Sequence, residues 1–423
     1  VVLARLMSLL QGWSGASPAA VATLVTLLGS DLAPKLPSRG TVGASGDLTP
    51  LAHMVLCLQG RGAFLDPRGA EIPGPAALAR LGLGPLSLAR RDGLALVNGT
   101  SAMTGLAVLS ACAARRAILW SVALSAGLIE VLRGHAEAWA PEFALARPHP
   151  GQAWAAAALR ARLEGATEVV RDPIAQGVPG APVTGLVAEA GQDAYTLRCA
   201  PQVIGAVADC LDWHDRVTEI ELNAATDNPI FPAEGDIPAL HGGNFMGQHI
   251  GLVSDALCNA LVVLAGLTER QVARLTDERL NGGLPAFLHR GAPGLNSGFM
   301  GAQVTATAIL AEMRARLGPA SGLSISTNGA NQDVVSLGTI AARGVRQALP
   351  DLFRLQAILA MAIAQAREIR ALPDPAWSPA LGRLCRQLRG MHPALETDRP
   401  LGEEIEAVAA WLGAEDPPAA DPV

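Results

Sequence analysis

This sequence is short of charge. Only 17% of its 423 residues are Asp, Glu, Lys or Arg, while 50% are hydrophobic; ordinary globular chains carry roughly 25% charge. So few charges cannot cover a 43.5 kDa molecule, and part of its surface is expected to be buried against other subunits. The apolar content rules out disorder over most of the chain. The net charge is −6 and no Lys/Arg cluster stands out, which argues against a nucleic-acid partner.

Aromatic residues make up 4% of the chain, with a single tyrosine, Tyr195. Ala and Leu take their place, a composition favouring helices packed closely on small side chains. Cys57, Cys112, Cys199, Cys210, Cys258 and Cys385 form no CxxC pair, a spacing suited neither to zinc nor to a disulfide framework. Reduced thiols and a cytoplasmic location are expected, and no signal peptide opens the chain. Long uncharged runs are also few. Leu94 to Ala114 is one, long enough for a span of ~20 residues, but it holds Asn98, Gly99, Thr100, Ser101, Thr104 and Gly105. Asp255 interrupts another, Ile250 to Leu267. Both read as buried helices of a large bundle, with no membrane partner.

What is present is helix after helix. Ser17-Pro18 offers an N-cap and a first-turn proline, with Gly29 as a stop. Helical periodicity follows over 102–133, 153–170, 201–223, 247–279, 300–317 and 334–372. A hairpin is expected around Asp66-Pro67-Arg68-Gly69. The expected organisation is mainly α: an N-terminal segment 1–97, a central helical bundle with C-terminal helices 98–412, and a disordered tail 413–423.

The chemistry starts at Gly43-Ala44-Ser45-Gly46-Asp47-Leu48, just before an apolar run. Gly46 lacks Cβ and can fold its amide nitrogen back against the Ala44 carbonyl. Closing that bond and losing two waters gives a five-membered ring with an exocyclic methylene from Ser45, an electrophile made from the chain itself. Taken alone, the triplet would more simply be an N-cap, with Ser or Asp preceding a helix.

The surrounding cassettes decide otherwise. Thr41-Val-Gly-Ala-Ser-Gly-Asp-Leu-Thr-Pro-Leu-Ala-His53 resembles the prosthetic-group loop of the methylidene-imidazolone (MIO) enzymes. These are the histidine, phenylalanine and tyrosine ammonia-lyases and the related aminomutases. Six more cassettes follow in the family's order: Ala95 to Gly105, Gln192 to Gln202, Glu221 to Pro229, His241 to Gln248, Gly294 to Met300 and Ser326 to Gly338. The resemblance implies a histidase-like fold, a homotetramer with three subunits at each active site, and an MIO formed from Ala44, Ser45 and Gly46, with no metal and no diffusible cofactor. It also implies that Arg198 binds the substrate carboxylate and that Tyr195 lines the active site. Asn98 would hydrogen-bond the MIO carbonyl and substrate, and Asn328 and Gln332 would surround the amino and carboxylate end. Leu48 and Met300 would line the pocket. Without the resemblance, Arg198 would read as a surface ion pair and Asn98 as a helix cap.

Histidine ammonia-lyases carry a Glu after the Asn-Gln of the last cassette; here Asn331-Gln332-Asp333-Val334 stands instead, the pattern of the aromatic branch. The segments Thr49 to His53, Cys57 to Gly62 and Gly283 to Arg290 look most like tyrosine ammonia-lyases of purple photosynthetic bacteria. The expected reaction is loss of ammonia from L-tyrosine to give p-coumarate, with L-phenylalanine to cinnamate beside it. Family members carry an N-terminal portion ahead of the point where this sequence opens, with a tyrosine proposed as the base and the ring-recognising side chains. On this reading the sequence shows no base unless Tyr195 is recruited to that role. Two alternatives stay open: an aminomutase, and a truncated or non-catalytic helical subunit.

Overall fold

Leucine and alanine at helical spacing bury one stripe of each helix, and in the computed structural model the described residues, 1–169, 192–233, 238–292 and 294–418, are accordingly mostly helical. The chain divides into two compact units, one of residues 1–111, 213–256 and 318–346, the other of 112–212, 257–317 and 347–423. The first unit thus takes in the expected 1–97 segment together with three stretches, 98–111, 213–256 and 318–346, from the region expected to form the central bundle.

In the first unit, α1 (Val2–Leu10) packs on α2 (Pro18–Leu28). Ser17 caps α2, its Oγ accepting from the Ala20 amide at 3.2 Å, with Pro18 in the first turn. There follow β1 (Ala33–Pro34), α3 (Leu48–Leu58), β2 (Ala63–Leu65) and β3 (Glu71–Pro73). The strands pair antiparallel in the order β1-β2-β3. Asp66 closes the β2–β3 turn by accepting from the Arg68 and Ala70 amides at 2.9 and 2.8 Å; the hairpin lies where the sequence places it. Leu6, Leu24, Leu51, Met54, Leu58 and Phe64 form the core, each leucine contributing roughly 1.5–3 kcal/mol by burial. Next come α4 (Gly74–Arg80) and α5 (Asp92–Ala95).

Among the described residues the remaining α-helices are α6 (Ser101–Leu132), α7 (Pro141–Ala146), α8 (Pro150–Arg162), α9 (Tyr195–Arg198), α10 (Ala200–Leu222), α11 (Gln248–Thr276), α12 (Met300–Ala315), α13 (Gly338–Arg370), α14 (Pro379–Arg389) and α15 (Gly402–Ala414). Two expectations move. The helix expected over 153–170 runs Pro150–Arg162: Pro150 opens it, and a turn with Gly165 at φ 80° follows its end; residue 170 lies outside the described residues. The helix expected from 334 begins at Gly338, because Leu337 takes φ 51° and its amide bonds the Val42 carbonyl instead.

In the second unit, the buried Gln356 amide donates to the Ala117 carbonyl at 2.7 Å and Ser121 Oγ at 2.9 Å. The rings of Trp120 and Trp411 meet edge to face at 5.0 Å. Trp120 Nε1, Arg116 and Arg162 donate to the carbonyls of Glu415, Gly413 and Pro418 at 2.8, 2.6 and 2.8 Å. The tail expected to be disordered from 413 is therefore helical to Ala414 and anchored to 418, and 419–423 lie outside the described residues. Helices α6 and α11 are long and apolar enough to cross a membrane, yet 56% and 61% of their apolar windows are buried within the protein.

Candidate active site

The Ala44-Ser45-Gly46 triplet lies in the loop entering α3, where Ala44 and Gly46 bridge across Ser45. Gly46 has φ +71°, and a Cβ there would overlap the Gly99 carbonyl oxygen, so this position takes glycine only. The same carbonyl accepts from the Asp47 amide at 2.7 Å. Within the loop, Thr41 Oγ1 accepts from the Gly43 amide at 3.0 Å and donates to the Gly46 carbonyl at 3.2 Å.

Three expected residues converge here. Asn98 Nδ2 donates to the Ser45 carbonyl oxygen at 2.9 Å. Gln332 Nε2 donates to Ser45 Oγ at 2.9 Å. Asn98 is not the helix cap it could have been: α6 starts at Ser101, and the Asn98 Oδ1 is buried without a hydrogen bond. Leu48, half-buried, opens α3 beside the loop. Asn328 stands apart, exposed in the turn between the bridged Thr327 and Gln332, with φ 52°.

Asp47 has a role that its place in the sequence concealed. It precedes α3 but makes no side-chain bond to that helix. Its carboxylate accepts instead from the Met103 amide in the first turn of α6, at 2.7 Å, and from Thr339 Oγ1. It is fully buried, and desolvation pushes its carboxyl up to about 6 despite those bonds. Arg5 was also passed over. It lies on the buried face of α1 with Val2, Leu6 and Leu9, and a charge on an apolar stripe was the available signal.

In the second unit, Tyr195 and Arg198 share α9, the guanidinium carbon 5.0 Å from the tyrosine ring centre. Arg198 Nη1 donates to Gln192 Oε1 at 2.8 Å, and its Nε is buried without a hydrogen bond. The described residues thus give this arginine no ion pair. Both side chains line a cavity of about 430 Å³ with Glu137, Phe143, Gln192 and Gln202. Asp193 fixes the start of the segment by accepting from the His135 amide at 2.6 Å and facing its Nδ1 at 3.1 Å. Gln271 Nε2 donates to the Thr196 carbonyl at 3.0 Å. Met300 opens α12, is 42% exposed, and does not line this cavity.

An autogenous ring fits the loop on local grounds: its first and third residues already meet, the third tolerates no side chain, and a buried amide sits on the carbonyl between them. A helical protein built round such a loop belongs with the carbon–nitrogen lyases. The family model of aromatic amino acid lyases matches residues 1–390, and this chain belongs to that family, whose members use the MIO group. It is 63% identical over 413 residues to a tyrosine ammonia-lyase of Cereibacter sphaeroides, covering 97% of this chain and 79% of that protein. An MIO-dependent tyrosine 2,3-aminomutase of Streptomyces globisporus is 40% identical over 433 residues, covering 97% and 77%. The crystal structure of the tyrosine aminomutase from that organism matches with a TM-score of 0.91 at 39% identity, over 98% of this chain and 78% of that one.

Proposed function

We propose that this lyase eliminates ammonia non-oxidatively from L-tyrosine to give p-coumarate, and also converts L-phenylalanine to cinnamate. The arrangement around Ser45, with Asn98 on its carbonyl and Gln332 on its hydroxyl, carries the reading, and the 63% identity to a tyrosine ammonia-lyase supports the substrate. The ring forms when the Gly46 nitrogen bonds the Ala44 carbonyl carbon. The Ala44 oxygen leaves as one water; the Ser45 hydroxyl leaves as the second, with the Ser45 α-proton. Once formed, the ring supplies an electrophile for the amino group, making ammonia the better leaving group.

The chain's own side chains do the rest. The Arg198 fork, which lines the cavity and has no ion pair among the described residues, holds the substrate carboxylate by a charge-assisted match. Asn98 stabilises negative charge on the Ser45 carbonyl oxygen from 2.9 Å. Gln332, on the Ser45 hydroxyl, attends the polar end of the substrate and Leu48 its apolar side; the family resemblance alone adds Asn328 to the first and Met300 to the second. Tyr195 lines the pocket beside Arg198, and it is recruited as base for the β-proton only where hydrogen-bonding reach allows. Exposed Leu109, Ile220, Val304 and Leu323 offer the surface for a homotetramer, and six scattered cysteines with no CxxC pair suit a reducing cytoplasm.

The likeness to the tyrosine aminomutase favours one second reading, in which ammonia returns to the β-carbon. Incubation with L-tyrosine, followed by chromatography, separates the two. The lyase reading expects p-coumarate and free ammonia, with Ser45→Ala inactive. β-Tyrosine as the main product selects the mutase, and full turnover by Ser45→Ala overturns both.

A further inference from the structure

Arg5 is 0% exposed in a helix whose neighbouring positions are apolar. Burying a guanidinium is costly, and this one is not fully repaid: its Nε has no hydrogen bond. Desolvation pulls it down to about 10, against the opposing charge of Asp227. Its two terminal nitrogens are spent on one task. Nη1 donates to the Asn98 carbonyl oxygen, and Nη2 donates to Ser8 Oγ at 2.6 Å. Ser8 Oγ in turn accepts from the Thr226 amide at 3.0 Å. Gly99 lies against this cradle: a Cβ there would stand 2.5 Å from Arg5 Nη1.

The turn so held is the one that touches the reactive loop. Asn98 reaches Ser45 O through its side chain, and the Gly99 carbonyl takes the Asp47 amide. Rotating the Asn98–Gly99 peptide would break the Arg5 bond and move both of those contacts together. We infer that Arg5 is a positioning residue: by fixing that peptide plane it sets the Asn98 amide on the Ser45 carbonyl and presses the loop into the geometry needed for ring closure. The inference rests on the proposed ring. Lysine would not reproduce it, since a single ammonium head lacks the planar fork that spans the Asn98 carbonyl and Ser8.

The test uses the full chain, with intact mass and ring absorbance read beside turnover. In Arg5→Met the fraction of chains lacking two waters is expected to fall about tenfold, and kcat by on the order of 100-fold, with KM little changed, as displacement of a positioned group by ~1 Å does. Arg5→Lys is expected to recover part of both. A merely structural role would lower the unfolding temperature and leave the mass and kcat of the folded protein unmoved. Complete water loss and unchanged kcat in folded Arg5→Met overturn the inference; should that variant not fold, the same result in Arg5→Lys does so. Absence of water loss in the unsubstituted chain would strike the proposed function instead, which keeps the two failures apart.

Discussion

Asp47 couples the reactive loop to protons as well as to α6. Its carboxyl titrates near 6 in the folded protein because burial disfavours the charged form, while an unfolded Asp titrates near ~3.9. The folded state therefore holds a proton that the unfolded state releases between those values. Stability from this group is full below about pH 4 and is lost as pH rises to about 6, a change on the order of 3 kcal/mol. Asp47→Asn is expected to remove that slope; urea unfolding of both proteins from pH 4 to 7 checks it, and parallel curves would contradict it. The part played by Asp47 was not legible in the sequence, because Met103 and Thr339 stand 56 and 292 residues away while the helix it adjoins is the next residue. Asn98 and Gln332, by contrast, were legible through their cassettes, and both fall on Ser45.

Among the elements, the loop before α3 and the turn before α6 are joined by glycine backbones, Gly46 bridging Gly99. A methyl group on Gly46 would meet the Gly99 carbonyl and hold a residue at φ +71°. Gly46→Ala is expected to cost roughly 2–4 kcal/mol by overpacking and backbone strain, as well as ring formation. Thermal unfolding checks this, and a variant as stable as the unsubstituted protein would contradict the packing described. Helix positions were readable because period and burial agree: Ser101–Leu132 against an expected 102–133, Ala200–Leu222 against 201–223. The start of α13 was not, since buried Val335, Ser336 and Leu337 carry a helix-like apolar pattern, while the Val335 amide donates to Ser324 Oγ, the Ser336 hydroxyl to the Gly43 carbonyl and the Leu337 amide to the Val42 carbonyl. That competition is long-range and leaves no local mark.

For the whole molecule, low charge and high apolar content point to shared surfaces, and large apolar side chains stand exposed on the single chain, Ile220 at 70% and Leu323 at 68%. Composition points to shared surfaces without a number; four is what the family resemblance implies. Likewise the two compact units could not be read from the sequence, because each gathers three separated stretches. The central claim is that Ala44, Ser45 and Gly46 close into a ring, and native mass spectrometry of the purified protein tests it most directly. The account expects assemblies of four chains, each lighter than its sequence by two waters, with the loss absent in Ser45→Ala. A chain at its full unmodified mass would contradict it.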